Sequence, residues 1–124
     1  MAKLRFLFAN CLFKQDFRTA KEILEKVPIN ERKIWLSRVK TEEGQPLLHG
    51  LLEEYEYYNI PITNLLSIIK FLYKNGYPLE IQDDNGKTPL QLAIKYGLSQ
   101  KIISFIENLI KNSYNRLAVE GAAK

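Results

Sequence analysis

A chain of 124 residues is long enough for one domain, since domains usually run to about 100–200 residues. Its 46% hydrophobic and 26% charged content is that of an ordinary globular protein, which excludes a disordered tail, a collagen-like chain and a disulfide scaffold. The net charge of +4 averages unlike parts: residues 1–40 carry ten Lys/Arg against four Asp/Glu, whereas residues 41–60 carry five Glu and no Lys or Arg. Such asymmetry bears on association, not on fold. No apolar stretch is long enough to span a bilayer, so no membrane insertion is expected. The basic start and the apolar run to Ala9 resemble a leader, but Asn10, Lys14, Gln15 and Asp16 interrupt it early, and none is expected. The single cysteine, Cys11, fits a reducing compartment, and a cytoplasmic location is the expectation.

The apolar spacing is helical almost throughout. Leu4, Leu7, Phe8, Cys11 and Leu12 share one helix face, and Ala20, Ile23, Leu24 and Val27 share another, closed by Pro28. A short helix is expected over Arg32–Val39, with Ile34, Trp35 and Val39 as its apolar members. Gly44-Gln45-Pro46 marks a turn with proline in the first turn of a helix that continues through Leu47, Leu48, Leu51, Leu52 and Tyr55. Asn59-Ile60-Pro61 breaks it. Thr63 or Asn64 is the expected cap of the next helix, which carries Leu65, Ile68, Ile69, Leu72 and Tyr73 and ends at Asn75-Gly76. Tyr77–Gln82 reads as extended, and Asp83-Asp84-Asn85-Gly86 as a turn. Thr88-Pro89 opens a helix stopped by Gly97, and Ser99 caps the last one, with Ile102, Ile103, Ile106, Leu109 and Ile110 inward. The tail from Tyr114 lacks periodicity and is expected to fray.

The stretch Gly86-Lys87-Thr88-Pro89-Leu90-Gln91-Leu92-Ala93-Ile94-Lys95-Tyr96-Gly97 resembles the core of an ankyrin repeat, D-x-x-G-x-T-P-L-H-x-A-A-x-x-G. Asp83, Gly86, Thr88, Pro89, Leu90, Ala93 and Gly97 match it, while Gln91 stands for the usual His and Ile94 for a small Ala. Ile68 to Glu80, with Gly76, is similar to the second helix and exit of such a repeat. Gly44-Gln45-Pro46-Leu47-Leu48-His49 is a degenerate copy in which Gly44 and His49 match. Gly44 and Gly86 are 42 residues apart, against a period of about 33 for the family. An insertion of about nine residues near 56–64 accounts for the difference. Residues 4–27 resemble a divergent terminal repeat.

The resemblance implies an all-α chain: a short ankyrin-like solenoid of stacked antiparallel helix pairs with hairpin-like finger turns. Its units would be residues 4–40, 41–81 and 82–113, with a tail at 114–124. About three repeats are the minimum that can bury a shared core. Gly86 would supply a positive φ in the finger, Thr88 and Pro89 would start the first helix, and Ala93 would keep that helix thin.

Catalytic chemistry finds little purchase. His49 is the only histidine; the resemblance gives it a structural role, hydrogen bonded to neighbouring backbone. Cys11 on an apolar face reads as an inert thiol. One His and one Cys make no metal set, the Asp83–Gly86 turn lacks the ligand pattern of a calcium loop, and no phosphate-binding glycine loop occurs. No cofactor and no enzymatic activity are expected. The Lys/Arg set of residues 1–40 is scattered around the helices, so nucleic-acid binding is the alternative function and a solvated surface the preferred reading.

Glu53-Glu54-Tyr55-Glu56-Tyr57-Tyr58 is the most unusual segment. Tyrosines of this kind serve interfaces or pack on a neighbouring helix, and both readings stand, with Tyr55 assigned to the core and Tyr57 or Tyr58 to the surface. A tyrosine-kinase substrate site has only the acidic context in its favour. Ankyrin-like proteins grip protein partners with their finger tips and first helices. Carried onto matching positions, that surface comprises Asp84, Asn85, Lys87, Lys95 and Tyr96, and Glu42, Glu43, Gln45, Glu53 and Glu54, with Glu56, Tyr57 and Tyr58 beside it. The expected function is a non-enzymatic protein–protein interaction module, an adaptor or inhibitor whose partner presents a basic patch. Richness in Lys, Ile, Asn and Tyr suggests an AT-rich genome, which suits a virus or an effector of an intracellular bacterium acting in a host cytosol.

Overall fold

A computed structural model describes the backbone of residues 2–122 and the side chains of residues 3–114. Among the described residues the chain is all-helical, with no β-strand. Short connections join α1 (Ala2–Phe13) to α2 (Phe17–Glu25), α4 (Leu47–Glu54) to α5 (Ile62–Lys74), and α6 (Pro89–Lys95) to α7 (Gln100–Ala122). A 3-10 turn, Ile29–Glu31, and α3 (Arg32–Ser37) fill the connection between the first two pairs.

Each pair turns its corner in the same way. The first helix is followed by a residue with positive φ: Gln15 at 62°, Asn59 at 56° and Gly97 at 63°. The next N–H then donates to a carbonyl five residues back, Asp16 to Cys11 at 2.8 Å, Ile60 to Tyr55 at 2.8 Å and Leu98 to Ala93 at 3.0 Å. This left-handed cap satisfies carbonyls that a helix end leaves orphaned. Only one of the three positions is glycine, which is why Gln15 gives no sign of its role in the sequence.

First helix lies beside first helix, α4 against α6, and second beside second, α5 against α7; α6 packs on α7 and α1 on α2. One apolar cluster runs through all of them, and Leu12, Leu36, Leu48, Leu52, Leu65 and Ile69 are among its most buried members. Phe8 ties α1 to the rest, its ring 5.5 Å from Trp35 and 6.4 Å from Phe71. Arg32 fastens α3 in place: its Nε donates to the Val27 carbonyl at 2.9 Å and its Nη1 to Asn75 Oδ1 at 3.4 Å. One of the ten N-terminal cations is thus a structural clamp.

Several local expectations are corrected. Leu7 points outward, 49% exposed, and Ala9 and Phe13 are buried in its stead. Ile34 is exposed at 57%, while Leu36 is fully buried. The residue preceding α5 is Pro61, which brings no side-chain cap. Neither Thr63 nor Asn64 caps that helix, because both already lie within its first turn; Asn64 Nδ2 donates to Gln15 Oε1 at 2.7 Å, tying α5 to the end of α1. Pro46 is the residue before α4 and not a member of its first turn. Tyr77–Gln82 is not uniformly extended, since Leu79 and Glu80 form a turn. Ser99 does cap α7, its Oγ accepting from Lys101 N at 3.3 Å. The helical backbone of α7 continues to Ala122, beyond the frayed tail expected from Tyr114; the side chains past that residue lie outside the described set.

Candidate binding face

Two finger turns precede α4 and α6, and two backbone hydrogen bonds recur in both. Thr41 N donates to Gln45 O at 2.8 Å, and Asp83 N to Lys87 O at 2.9 Å. Gly44 N donates to Thr41 O at 2.9 Å, and Gly86 N to Asp83 O at 3.0 Å. Gly44 and Gly86 have φ of 82° and 75°. A Cβ at either would meet nothing within 4 Å, so the backbone conformation and not crowding selects glycine. A side-chain oxygen closes each turn: Thr41 Oγ1 accepts from Gln45 N at 3.2 Å, and Asp83 Oδ1 from Lys87 N at 2.9 Å and Asn85 N at 2.9 Å. The bonds from the Lys87 N–H first, and from the Asn85 N–H, hold the Asp83 carboxyl below its usual range. Asp83 therefore serves the turn. Thr41, the counterpart of Asp83, escapes a motif search because a hydroxyl has replaced the carboxylate.

The helices that follow the fingers start differently. Thr88 Oγ1 accepts from Gln91 N at 3.2 Å and Gln91 Oε1 accepts from Thr88 N at 2.9 Å, a reciprocal capping box. The Gln91 side chain thereby closes the start of the helix on which it sits. Helix α4 has Pro46 at the equivalent place and no side-chain cap of its own. The hydroxyl of Tyr77, from beyond the end of α5, takes over and accepts from Leu48 N at 3.1 Å. Burial pushes that phenol up to about 12, against the opposing pull of the Leu48 N–H. His49 is fully buried, and its Nε2 lies 2.7 Å from the Lys87 carbonyl. A carbonyl only accepts, so Nε2 carries the proton and the imidazole links α4 to the next finger.

Glu53 joins the two units on their outer side. Its carboxylate accepts from Gln45 Nε2 at 2.8 Å and from the Tyr96 hydroxyl at 3.2 Å. The first finger, α4 and the end of α6 thus form one connected surface. That bond to Glu53 raises the Tyr96 phenol above its usual range. Beside this link an open groove of about 490 Å³ is lined by Leu52, Glu53, Glu54, Tyr55, Glu56, Tyr96 and Leu98. Burial raises the Glu54 carboxyl, and Glu43, Glu53 and Glu42 add repulsion.

The acidic, tyrosine-rich segment forms one extra turn after α4. Gly44 to Asn59 spans fifteen residues and Gly86 to Gly97 eleven, so the middle unit's first helix is prolonged by the turn through Tyr58. Tyr55 is buried at 5% exposure, Tyr57 is exposed at 80% and Tyr58 at 42%. The Tyr58 ring lies 4.9 Å from Phe13 and 5.1 Å from Tyr57. Tyr58 therefore packs against α1 on one side and faces solvent on the other. Asp84, Asn85 and Lys87 are exposed on the second finger. The Lys95 ammonium sits 5.9 Å from the Tyr96 ring centre. Glu42, Glu43, Gln45, Glu53, Glu54 and Glu56 all lie on the first finger, α4 or its extension.

Elsewhere the chemistry is sparse. Cys11 is half-buried rather than buried, and burial followed by Asp16 raises its thiol. Among the described residues no group of three His, Cys, Asp or Glu is placed to hold a metal ion, and no helix is long and apolar enough to cross a membrane. The N-terminal cations are spread over three helices and their connections, and Arg18 pairs with Glu22 at 3.4 Å. Compared with family models, curated proteins and solved structures, the chain has no significant match.

Proposed function

We propose that this chain is a non-enzymatic, ankyrin-like protein-binding module. It would act as a small adaptor or inhibitor and grip a partner that presents a basic patch. The observation that carries the reading is the Gln45–Glu53–Tyr96 link, which makes one acidic surface of two successive units. Two finger turns with the same hydrogen bonds, two first helices side by side and a histidine bridging them support the solenoid arrangement. Tyrosines beside carboxylates suit protein recognition, because aromatic rings bury much area at low entropic cost and charge steers the encounter. An effector of an intracellular bacterium or a viral protein is the biological setting that fits a compact inhibitor of this kind.

Affinity capture followed by direct titration of the purified partner tests the reading. Changing Glu53, Glu54 and Glu56 together to Lys should abolish measurable binding while the far-ultraviolet spectrum stays helical. Undiminished binding by the triple variant would remove the acidic face from the account.

A further inference from the structure

A second, smaller concavity lies on the other side of Glu54, between α1 and the first finger. Its apolar wall is made by Phe6 and Phe13 of α1 and by the ring of Tyr58, and its rim by Glu42, Glu43 and Glu54. The free space is about 20 Å³, on the scale of one or two waters, so it suits the tip of one side chain and not a whole helix. Phe6 is 46% and Tyr58 42% exposed, leaving aromatic surface open at its mouth.

The charges of the rim lack partners. Among the described residues none of Glu42, Glu43 and Glu54 has a cation within 4.0 Å, although Lys40 lines the same notch. Like charges so close raise the Glu54 carboxyl, after burial, and Tyr58 feels burial and then Glu54 and Glu42 in the same direction. A purely apolar occupant would strip water from the carboxylates without pairing them. An anionic one, such as a phosphate backbone or an acidic lipid headgroup, would be repelled. A lysine or arginine side chain answers both walls at once, its methylenes lying on the aromatic rings and its charged head among the glutamates.

We propose that this notch receives the tip of a lysine or arginine side chain of the protein partner, so that the contact extends off α4 onto α1. The inference rests on the protein-binding reading and enlarges its footprint to residues that the sequence motif does not include, Phe6 and Phe13 above all.

The test uses the full chain, uniformly labelled with nitrogen-15, and two synthetic peptides, one alternating leucine and lysine in an amphipathic pattern and one with glutamate for lysine. The lysine peptide should shift the amides of Phe6, Asn10, Glu42, Glu43 and Tyr58, and the glutamate peptide should not. Phe6→Ser and Glu43→Gln should each weaken the lysine peptide by about fivefold or more. Two variants are used because Glu43 is exposed on a finger and its change leaves the α1 packing alone. Shifts confined to the groove around Glu53 and Tyr96 would overturn the notch and leave the binding face standing. Shifts spread over all acidic residues, with no loss in either variant, would show mere charge attraction and overturn it. Absence of any shift would do the same, whatever the captured partner shows. Self-association through Phe6, seen by sedimentation without peptide, would make a second copy the occupant and overturn it too.

Discussion

The two fingers, residues 41–50 and 83–92, reach one backbone shape by different chemistry. The second is self-sufficient: Asp83 closes its turn, and Thr88 with Gln91 caps its helix. The first is built from borrowed parts. Thr41 closes the turn, but the cap of α4 is the hydroxyl of Tyr77, 29 residues away, and Gly50 makes room for the Thr41 methyl. A turn can therefore lack the local capping residues and keep the same geometry, provided that a neighbouring segment supplies the missing bond. The consequence is a difference in where each finger is vulnerable. The second should fail through its own residues, and the first through residues outside it.

The largest expected effect is at Gly50. A Cβ there would overlap the Thr41 Cγ2 methyl and come within 3.6 Å of the Phe13 ring. Gly50→Leu, which installs the residue found at the same place after the second finger, should cost about 3 kcal/mol in urea unfolding, the upper end of overpacking effects. Tyr77→Phe comes next. It leaves the buried Leu48 N–H without an acceptor, a loss of about 1–2 kcal/mol, and hydrogen exchange should speed up at Leu48 before it does at Leu90. Thr88→Ala should cost about 1 kcal/mol, with faster exchange confined to the start of α6. If Tyr77→Phe left Leu48 as protected as before, the borrowed cap would be wrong.

Acid separates the fingers more gently. The Asp83 carboxyl is held below its usual value, so its bonds stabilise the fold above the unfolded pKa of about 3.9 and are lost as pH falls through the lower, folded value. The group is exposed, so the effect is small. Below about pH 4 the second finger should loosen first, and Asp83→Asn should flatten that limb of the stability curve, while Thr41 gives the first finger no such dependence. The smallest effect is a gain. Glu54 has a raised carboxyl, so its ionised form is disfavoured in the fold at neutral pH. Glu54→Gln should raise the melting temperature slightly at pH 7 while weakening a cationic partner. A variant that lost stability there would show that the acidic rim is not under mutual repulsion.

The sequence makes the second finger legible because its residues act locally. Asp83, Gly86, Thr88 and Gly97 each bond within a few positions of themselves, and a spacing rule finds them. Gly44 is legible for the same reason, through the turn it fixes, whereas His49 acts on the Lys87 carbonyl 38 residues away and is legible only through the motif position it shares. Thr41 acts just as locally but carries a hydroxyl where the motif has a carboxylate, and Tyr77 and Gly50 are not legible, since each acts on a partner that only the fold brings near. The outward turn of Leu7 is likewise invisible, because α1 is apolar on both sides and periodicity does not say which side is buried. Half of the candidate face is legible in composition, as the run of Glu and Tyr after Leu52. Its continuation onto Phe6 and Phe13 depends on the stacking of Tyr58 against α1, which no local pattern encodes.

The central claim is that the surface joining the two fingers through Glu53 is where a protein partner binds. Titration calorimetry of the purified partner against the Glu53→Lys chain tests it most directly, with Lys21→Glu on α2 as the comparison. The account predicts at least a tenfold loss of affinity, about the scale of one reversed charge in a complementary interface, for Glu53→Lys and none for Lys21→Glu. Equal affinity of Glu53→Lys and the unaltered chain, or a loss carried by Lys21→Glu instead, would contradict it.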